Sequence, residues 1–196
     1  MSPRVYQSHR RAEAQAATSL RILEATIALH AEKGCLTTSY ADIAARADVA
    51  IPTVYKHFPD LDTLVRGCTR HAAGSAPHLG PEIFEGLSSV PERIAALVEA
   101  VYKVHAYFAP WKRWGEAGHL DALKEMSEWE RKELRALIRL CFAPSGSMPP
   151  DFVALTEALL GFATWSVLKR DPKVSPTKAA RRALATLWKA HTQEVP

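Results

Sequence analysis

TSYADIAARADVAIPTVYKHF, residues 38–58, holds two short apolar patterns of helical period with a turn between them. The spacing predicts helices over about 40–47 and 51–57. Two helices that cross tightly need a small residue where they touch and a tolerant backbone in the turn. Ala44 supplies the small contact. Asp48 stands in the turn, and Asp enters the left-handed region more readily than most side chains. Val49 and Val54 plug the crevice, with Ile43 and Ala47 opposite. Taken alone, this spacing fits a DNA-reading pair and a purely structural helical corner equally well.

Nearly every other long stretch also reads as helix, and no segment alternates with period two, so the expected fold class is all-α with about nine helices. Upstream, Leu20, Leu23, Ile27 and Ala31 form one stripe of a helix over about 14–33, and Gly34 follows as a C-cap. A fourth helix starts near Asp60, with Leu61, Leu64, Val65 and Cys68 inward. Two glycines and two prolines in GSAPHLGP, 74–81, then break the pattern. Ser89 and Glu92 form a capping box ahead of a long helix whose inner face carries Ile94, Leu97, Val98, Val101, His105 and Phe108. Pro110 is expected to interrupt it. A charged amphipathic helix follows over about 121–142. The stretch from Asp151 to Arg170 is apolar around most of its circumference and is expected as one helix covered on two sides. Ser175 and Pro176 open the last helix.

Of 196 residues, 25 are Lys or Arg and 21 are Asp or Glu, a net charge of +4 that favours polyanions only weakly. The first 70 residues hold 9 basic and 7 acidic side chains, so charge is not concentrated in the helix-turn-helix part. Three scattered cysteines, Cys35, Cys68 and Cys141, argue for reduced thiols rather than a disulfide framework or zinc finger. No apolar run reaches the ~18 residues that span a bilayer, and the polar start lacks a signal-peptide core, so a cytoplasmic protein with no membrane partner is expected. GxSxG, HExxH, a Walker-type loop and GxGxxG are all missing, and the eight histidines show no metal spacing. No catalytic residue, metal site or cofactor is therefore expected.

Residues 21–65 resemble the DNA-binding domain of the TetR family of transcriptional regulators. RILEATIALHAEKG is similar to its first helix. TTSYADIAARADVAIPTVYKHF is similar to its second and third, chiefly through Thr38, Ile43, Ala44, Val49, Thr53, Tyr55, His57 and Phe58. The resemblance covers about a quarter of the chain and implies a helix-turn-helix domain (15–60) and a ligand-binding and dimerisation domain (61–196); ahead of them, Arg4, Arg10 and Arg11 mark residues 1–14 as a flexible basic arm. The arm is either a solvated tail or a minor-groove contact. The resemblance further implies that 51–57 enters the major groove of double-stranded DNA, led by Ala50, Ile51 and Pro52. Thr53 and Tyr55 would meet phosphate or base edges, flanked by Lys56 and His57, and Thr38 would offer its hydroxyl or amide to phosphate. The bland alternatives are a partly internal Tyr55 and Phe58 and a satisfied interior His57. Three departures weaken the pattern: Asp48 replaces the usual turn glycine, Ala50 a capping serine, and Leu61 a frequent phosphate-binding lysine.

For the C-terminal body, the resemblance implies a small, partly apolar or aromatic ligand and a homodimer. Tyr102, His105, Phe108, Trp111, Trp114, Trp129, Phe162 and Trp165 are the candidate pocket residues, with core packing as the alternative for each. Trp111 and Trp114 stand out because a helix break often borders a cavity. Ala158, Leu160, Gly161, Trp165, Leu184, Leu187 and Trp188 are the candidate dimer contacts. The expected function is a ligand-responsive dimeric regulator, by family default a repressor on a palindromic operator. The alternative is a helical ligand-binding or interaction protein whose corner no longer reads DNA.

Overall fold

Helical periodicity carries through to the computed structural model, which describes residues 3–194 and, among them, holds nine α-helices and no strand. They are α1 (Pro3–Lys33), α2 (Tyr40–Ala47), α3 (Ile51–His57), α4 (Leu61–Ala73), α5 (Val90–Lys112), α6 (Asp121–Phe142), α7 (Pro150–Leu160), α8 (Phe162–Lys169) and α9 (Pro176–Glu194). Helix α1 begins well before Ala14, so the backbone from Pro3 onward is helical where a flexible arm is expected. The Arg4 side chain lies outside the described residues; Arg10 and Arg11 are exposed on α1.

Two compact units form. The first joins the residues up to Ala76 to Pro110–Met126; the second comprises Pro77–Ala109 and Ser127 onward. The first unit therefore does not end near residue 60. Ile22, Ala25 and Leu29 of α1 meet Ile43, Ala44 and Ala47 of α2, Val54 and Phe58 of the α3 region, and Leu64 and Cys68 of α4. Without α4 this core would lose one wall. The segment after α5 adds a smaller cluster, in which Ala122 packs with Cys35 and Val65.

Local side-chain caps set four of the helix starts. Ser39 and Asp42 form a full capping box on α2, and the Asp60 carboxylate accepts the Thr63 amide at the start of α4. Ser89 and Glu92 cap α5 reciprocally, and the Lys178 amide donates to Ser175 at the head of α9. Gly34 ends α1 at φ 86°, a left-handed conformation. A Cβ there would lie 2.7 Å from Oε1 of Glu116.

Two helix boundaries differ from the expectation. Pro110 sits inside α5 rather than ending it. Proline removes one hydrogen bond, but here only the last turn is affected. That turn and the residue after it are held independently: the Trp111 indole donates to the Ile27 carbonyl at 2.9 Å and Arg113 to the Ala31 carbonyl at 2.7 Å. Conversely, Asp151 to Arg170 is two helices. The chain turns extended at Gly161 (φ −65°, ψ 152°), and α7 and α8 are bent by 43°. A helix end leaves its last carbonyls without partners. Here Thr164 donates to the Ala158 carbonyl, Tyr102 to Leu159 and His105 to Leu160, at 2.6, 2.9 and 2.8 Å. The break is stabilised from α5, which no local pattern records. Among the described residues no single helix is long and apolar enough to cross a membrane.

Candidate nucleic-acid interface

The turn between α2 and α3 is held by its backbone. Asp48 is left-handed at φ 52° and ψ 57°, the one non-glycine residue at positive φ among those described. Its amide and that of Val49 return to the carbonyls of Ala45 and Ala44, at 3.4 and 3.0 Å, which ends α2 and aims the chain into α3. Helix α3 starts less firmly. Ala50 offers no side-chain cap, and Pro52 in the first turn has no N–H to be capped.

Of the seven residues of α3, only Val54 is buried; it is fully enclosed and ties the helix to the core. Ile51 and Tyr55 are 43% and 50% exposed, Pro52 and Lys56 are exposed, and Thr53 and His57 are half-buried. The candidate reading residues thus share the outward side of one short helix, with Ala50 exposed at its head. Phe58 is core, which settles its alternative reading, whereas Tyr55 is not. The Tyr55 ring stacks on Tyr40 from α2, with centroids 4.3 Å apart and planes at 11°. Tyr40 in turn donates its hydroxyl to the Phe58 carbonyl at 2.9 Å. Burial, with the charges of Asp60 and Tyr55, pushes the Tyr40 phenol up to about 12.

Thr38 is placed differently from the expected phosphate donor. It is 8% exposed; its hydroxyl donates to the Gly34 carbonyl at 2.7 Å and its amide to the Cys35 carbonyl at 3.4 Å. Both groups are spent on the loop between α1 and α2. The acidic groups near α3 are likewise occupied. Asp60 caps α4, and its hydrogen bonds from Thr63 hold its carboxyl below the usual range. Asp62 accepts from Arg66 and from the Ala122 amide. Leu61, in place of a phosphate-binding lysine, packs against the core.

Residues 110–126 buttress this scaffold. The Glu116 carboxylate accepts the Cys35 and Leu36 amides at 2.8 and 2.9 Å. Its desolvation is outweighed by these hydrogen bonds, so its carboxyl titrates below the ordinary value. His30, 6% exposed on α1, has an Nε2 with no hydrogen-bond partner. Sequence pattern does not single out Tyr40 or Glu116, because each acts on a residue far along the chain.

In the second unit, four of the eight candidate pocket residues come together. The His105 ring lies 5.9 Å from Tyr102, 5.6 Å from Phe162 and 6.1 Å from Trp165. His105 Nε2 faces a carbonyl, which can only accept, so that nitrogen carries the proton. Phe108 packs edge-on against Tyr107 instead. Trp111 and Trp114 belong to the first unit, the former bonded to α1 and the latter 40% exposed beneath Arg113. Trp129 is 61% exposed. Of the candidate dimer residues, Leu160, Trp165 and Leu184 are core of the second unit, where they pack with residues of α5 and α6. Leu187 and Trp188 are half-buried against the same core, Gly161 is half-buried, and Ala158 is exposed. The outward apolar stripe runs instead through Ala154, Leu155 and Ala158 of α7 and Ala163 and Val167 of α8. Among the described residues no group of three or more His, Cys, Asp or Glu side chains could hold a metal ion.

Residues 22–68 match the family model described as bacterial regulatory proteins, tetR family. No curated protein matches the chain. Solved structures of the same architecture do. SCO7518 from Streptomyces coelicolor A3(2) is 19% identical at a TM-score of 0.65, over 87% of this chain and 97% of that one. PfmR, a TetR family transcriptional regulator from Thermus thermophilus, is 23% identical at 0.57, over 85% and 96%. EbrR, a multidrug binding protein solved with imidazole, is 22% identical at 0.58, over 86% and 88%. Residues 22–68 are thus similar to the helix-turn-helix domain of the tetR family, and the chain as a whole shares the all-helical fold of these solved structures.

Proposed function

We propose that the protein is a dimeric, ligand-responsive transcriptional regulator that represses from a palindromic operator and is released by a small molecule. The observation that carries this reading is α3 itself, which buries Val54 and turns Ile51, Pro52, Tyr55 and Lys56 to solvent. Val54 anchors; its neighbours meet the groove. Lys56 and the Tyr55 hydroxyl suit phosphate oxygens, while Thr53 and Ile51 have the size to meet base edges. The proposal takes the role to be DNA-binding and non-enzymatic, and the place to be the cytoplasm.

The dimer is assigned to the outward stripe of α7 and α8. Leu155 and Val167 are 53% and 59% exposed, and apolar side chains in such a stripe gain from burial against a second copy. The sensor is assigned to the Tyr102, His105, Phe162 and Trp165 cluster. Fully buried Thr156 on α7 keeps a hydroxyl without a protein partner, the kind of group a bound molecule satisfies. The ligand is small and partly aromatic, in keeping with rings that offer stacking faces. Helix α5 supplies Tyr102 and His105 to the cluster, and beyond Pro110 its last turn carries Trp111, which bonds to α1. A ligand favouring one position of α5 then changes the spacing of the paired recognition helices, which must be about 34–36 Å for half-sites one turn apart.

Selection of bound duplexes from a random pool tests the reading. A twofold-symmetric enriched site, with half-sites one helical turn apart, is the expected result. A pool that stays random through repeated rounds supports the ligand-binding alternative, to which the uncapped Ala50 and the committed Thr38 point.

A further inference from the structure

Tyr55 is the most exposed large hydrophobic side chain of α3, yet it is not loose. An exposed tyrosine on a seven-residue helix without a side-chain N-cap would sample several rotamers and lose that freedom on binding. Here its ring lies flat against Tyr40, 4.3 Å between centroids and 11° between planes. The Tyr40 ring is itself anchored, because its hydroxyl donates to the Phe58 carbonyl at the C-terminal end of α3. One side chain of α2 thus grips α3 twice, through its ring face and through its oxygen.

We infer that Tyr40 is a positioning residue for DNA reading, holding the Tyr55 ring at one tilt so that the Tyr55 hydroxyl arrives already aimed at the phosphate backbone. The inference rests on the DNA-reading function proposed above. Tyr40 does not touch DNA in this arrangement: its one O–H is committed to Phe58 and it is half-buried, whereas Tyr55 is 50% exposed. The division of labour is therefore fixed. Tyr40 acts only through Tyr55, and a change at Tyr40 matters only while Tyr55 is present. Aromatic pairs contribute about 0.5–1.5 kcal/mol beyond their buried area, which converts to an affinity change of about 2- to 10-fold.

The test compares wild type, Tyr40→Phe, Tyr40→Leu, Tyr55→Ala and the Tyr40→Leu/Tyr55→Ala double variant on the duplex that wild type selects. Tyr40→Phe keeps the ring face but loses the bond to the Phe58 carbonyl, so it binds more weakly than wild type by a smaller factor than Tyr40→Leu. Tyr40→Leu binds about 2- to 10-fold more weakly, with an unchanged slope of log K against log salt because no cation is lost. Added to Tyr55→Ala, Tyr40→Leu costs nothing more. Losses that instead multiply in the double variant, a Tyr40→Phe as weak as Tyr40→Leu, or a Tyr40→Leu equal to wild type would overturn the inference while leaving DNA reading intact. So would a Tyr55→Ala that binds normally. Wild type without preference for any duplex overturns the proposed function and the inference together. An NMR measurement covers a Tyr40→Leu protein that fails to fold. Ring-current displacement of the Tyr55 ring protons is expected in free wild type and in Tyr40→Phe, and its absence from wild type refutes the stack.

Discussion

Acid should loosen the helix-turn-helix unit through His30. This side chain is 6% exposed on α1, and burial drives its pKa from 6.5 to about 4, with the Glu116 charge opposing the shift. The unfolded chain takes up the proton near 6.5 and the folded one only near 4, so between these values the unfolded form binds more protons. The stability contributed by neutral His30 is complete above pH 6.5 and is lost as pH falls toward 4. At pH 5 the difference amounts to about 2 kcal/mol, and over the whole interval to roughly 3 kcal/mol, at 1.36 kcal/mol per pKa unit. His30→Gln removes the titration while keeping a polar side chain of similar reach. Amide hydrogen exchange of buried α1 positions, with denaturant unfolding alongside, should show wild type losing about 2 kcal/mol more than His30→Gln between pH 7.5 and pH 5. Parallel pH dependences for the two proteins would refute the reasoning, because other carboxylates and histidines titrate alike in both.

Ala50→Ser gives α3 the cap it lacks; a gain of about 1 kcal/mol, read as a melting temperature about 2–4 °C higher, is expected, together with tighter duplex binding. Asp48→Val should destabilise the first unit by roughly 1–2 kcal/mol, because a β-branched residue is strained at φ 52°, whereas Asp48→Gly should not; urea midpoints decide this. Glu116→Gln leaves one oxygen to face two amides, so a loss of about 1.5–3 kcal/mol and faster exchange at Cys35 and Leu36 are expected. Leu155→Glu with Val167→Glu should convert a dimer to monomer in sedimentation without changing the helical circular dichroism, since both side chains already face outward. A variant still sedimenting as a dimer would move the interface elsewhere.

Much of this was legible along the chain because helix signals are local. Ser39, Asp60, Ser89 and Ser175 cap helices within three residues of themselves, and the apolar residues of α2, α3 and α4 repeat at the period that buries them together. The outward placement of Ile51, Tyr55 and Lys56 follows from the same period once Val54 is inward. Residue type alone misled where it ignored partners. Thr38 has the chemistry of a phosphate ligand, but its hydroxyl is used four residues back. Trp111 and Trp114 have the chemistry of a pocket, but they lie in the unit that carries α3.

The sequence by itself determined an all-helical chain with a helix-turn-helix near its start, since caps, turns and amphipathic period act over one or two helical turns. Only the tertiary structure decided that α5 runs through Pro110, that α7 and α8 part at Gly161, that 110–126 join the first unit, and that Tyr40 lies against Tyr55. Each of these depends on a hydrogen bond or ring contact between residues from 15 to more than 80 positions apart: Trp111 to Ile27, His105 to Leu160, Glu116 to Cys35, Tyr40 to Tyr55. Such contacts form only after the helices have packed, and local pattern carries no trace of them.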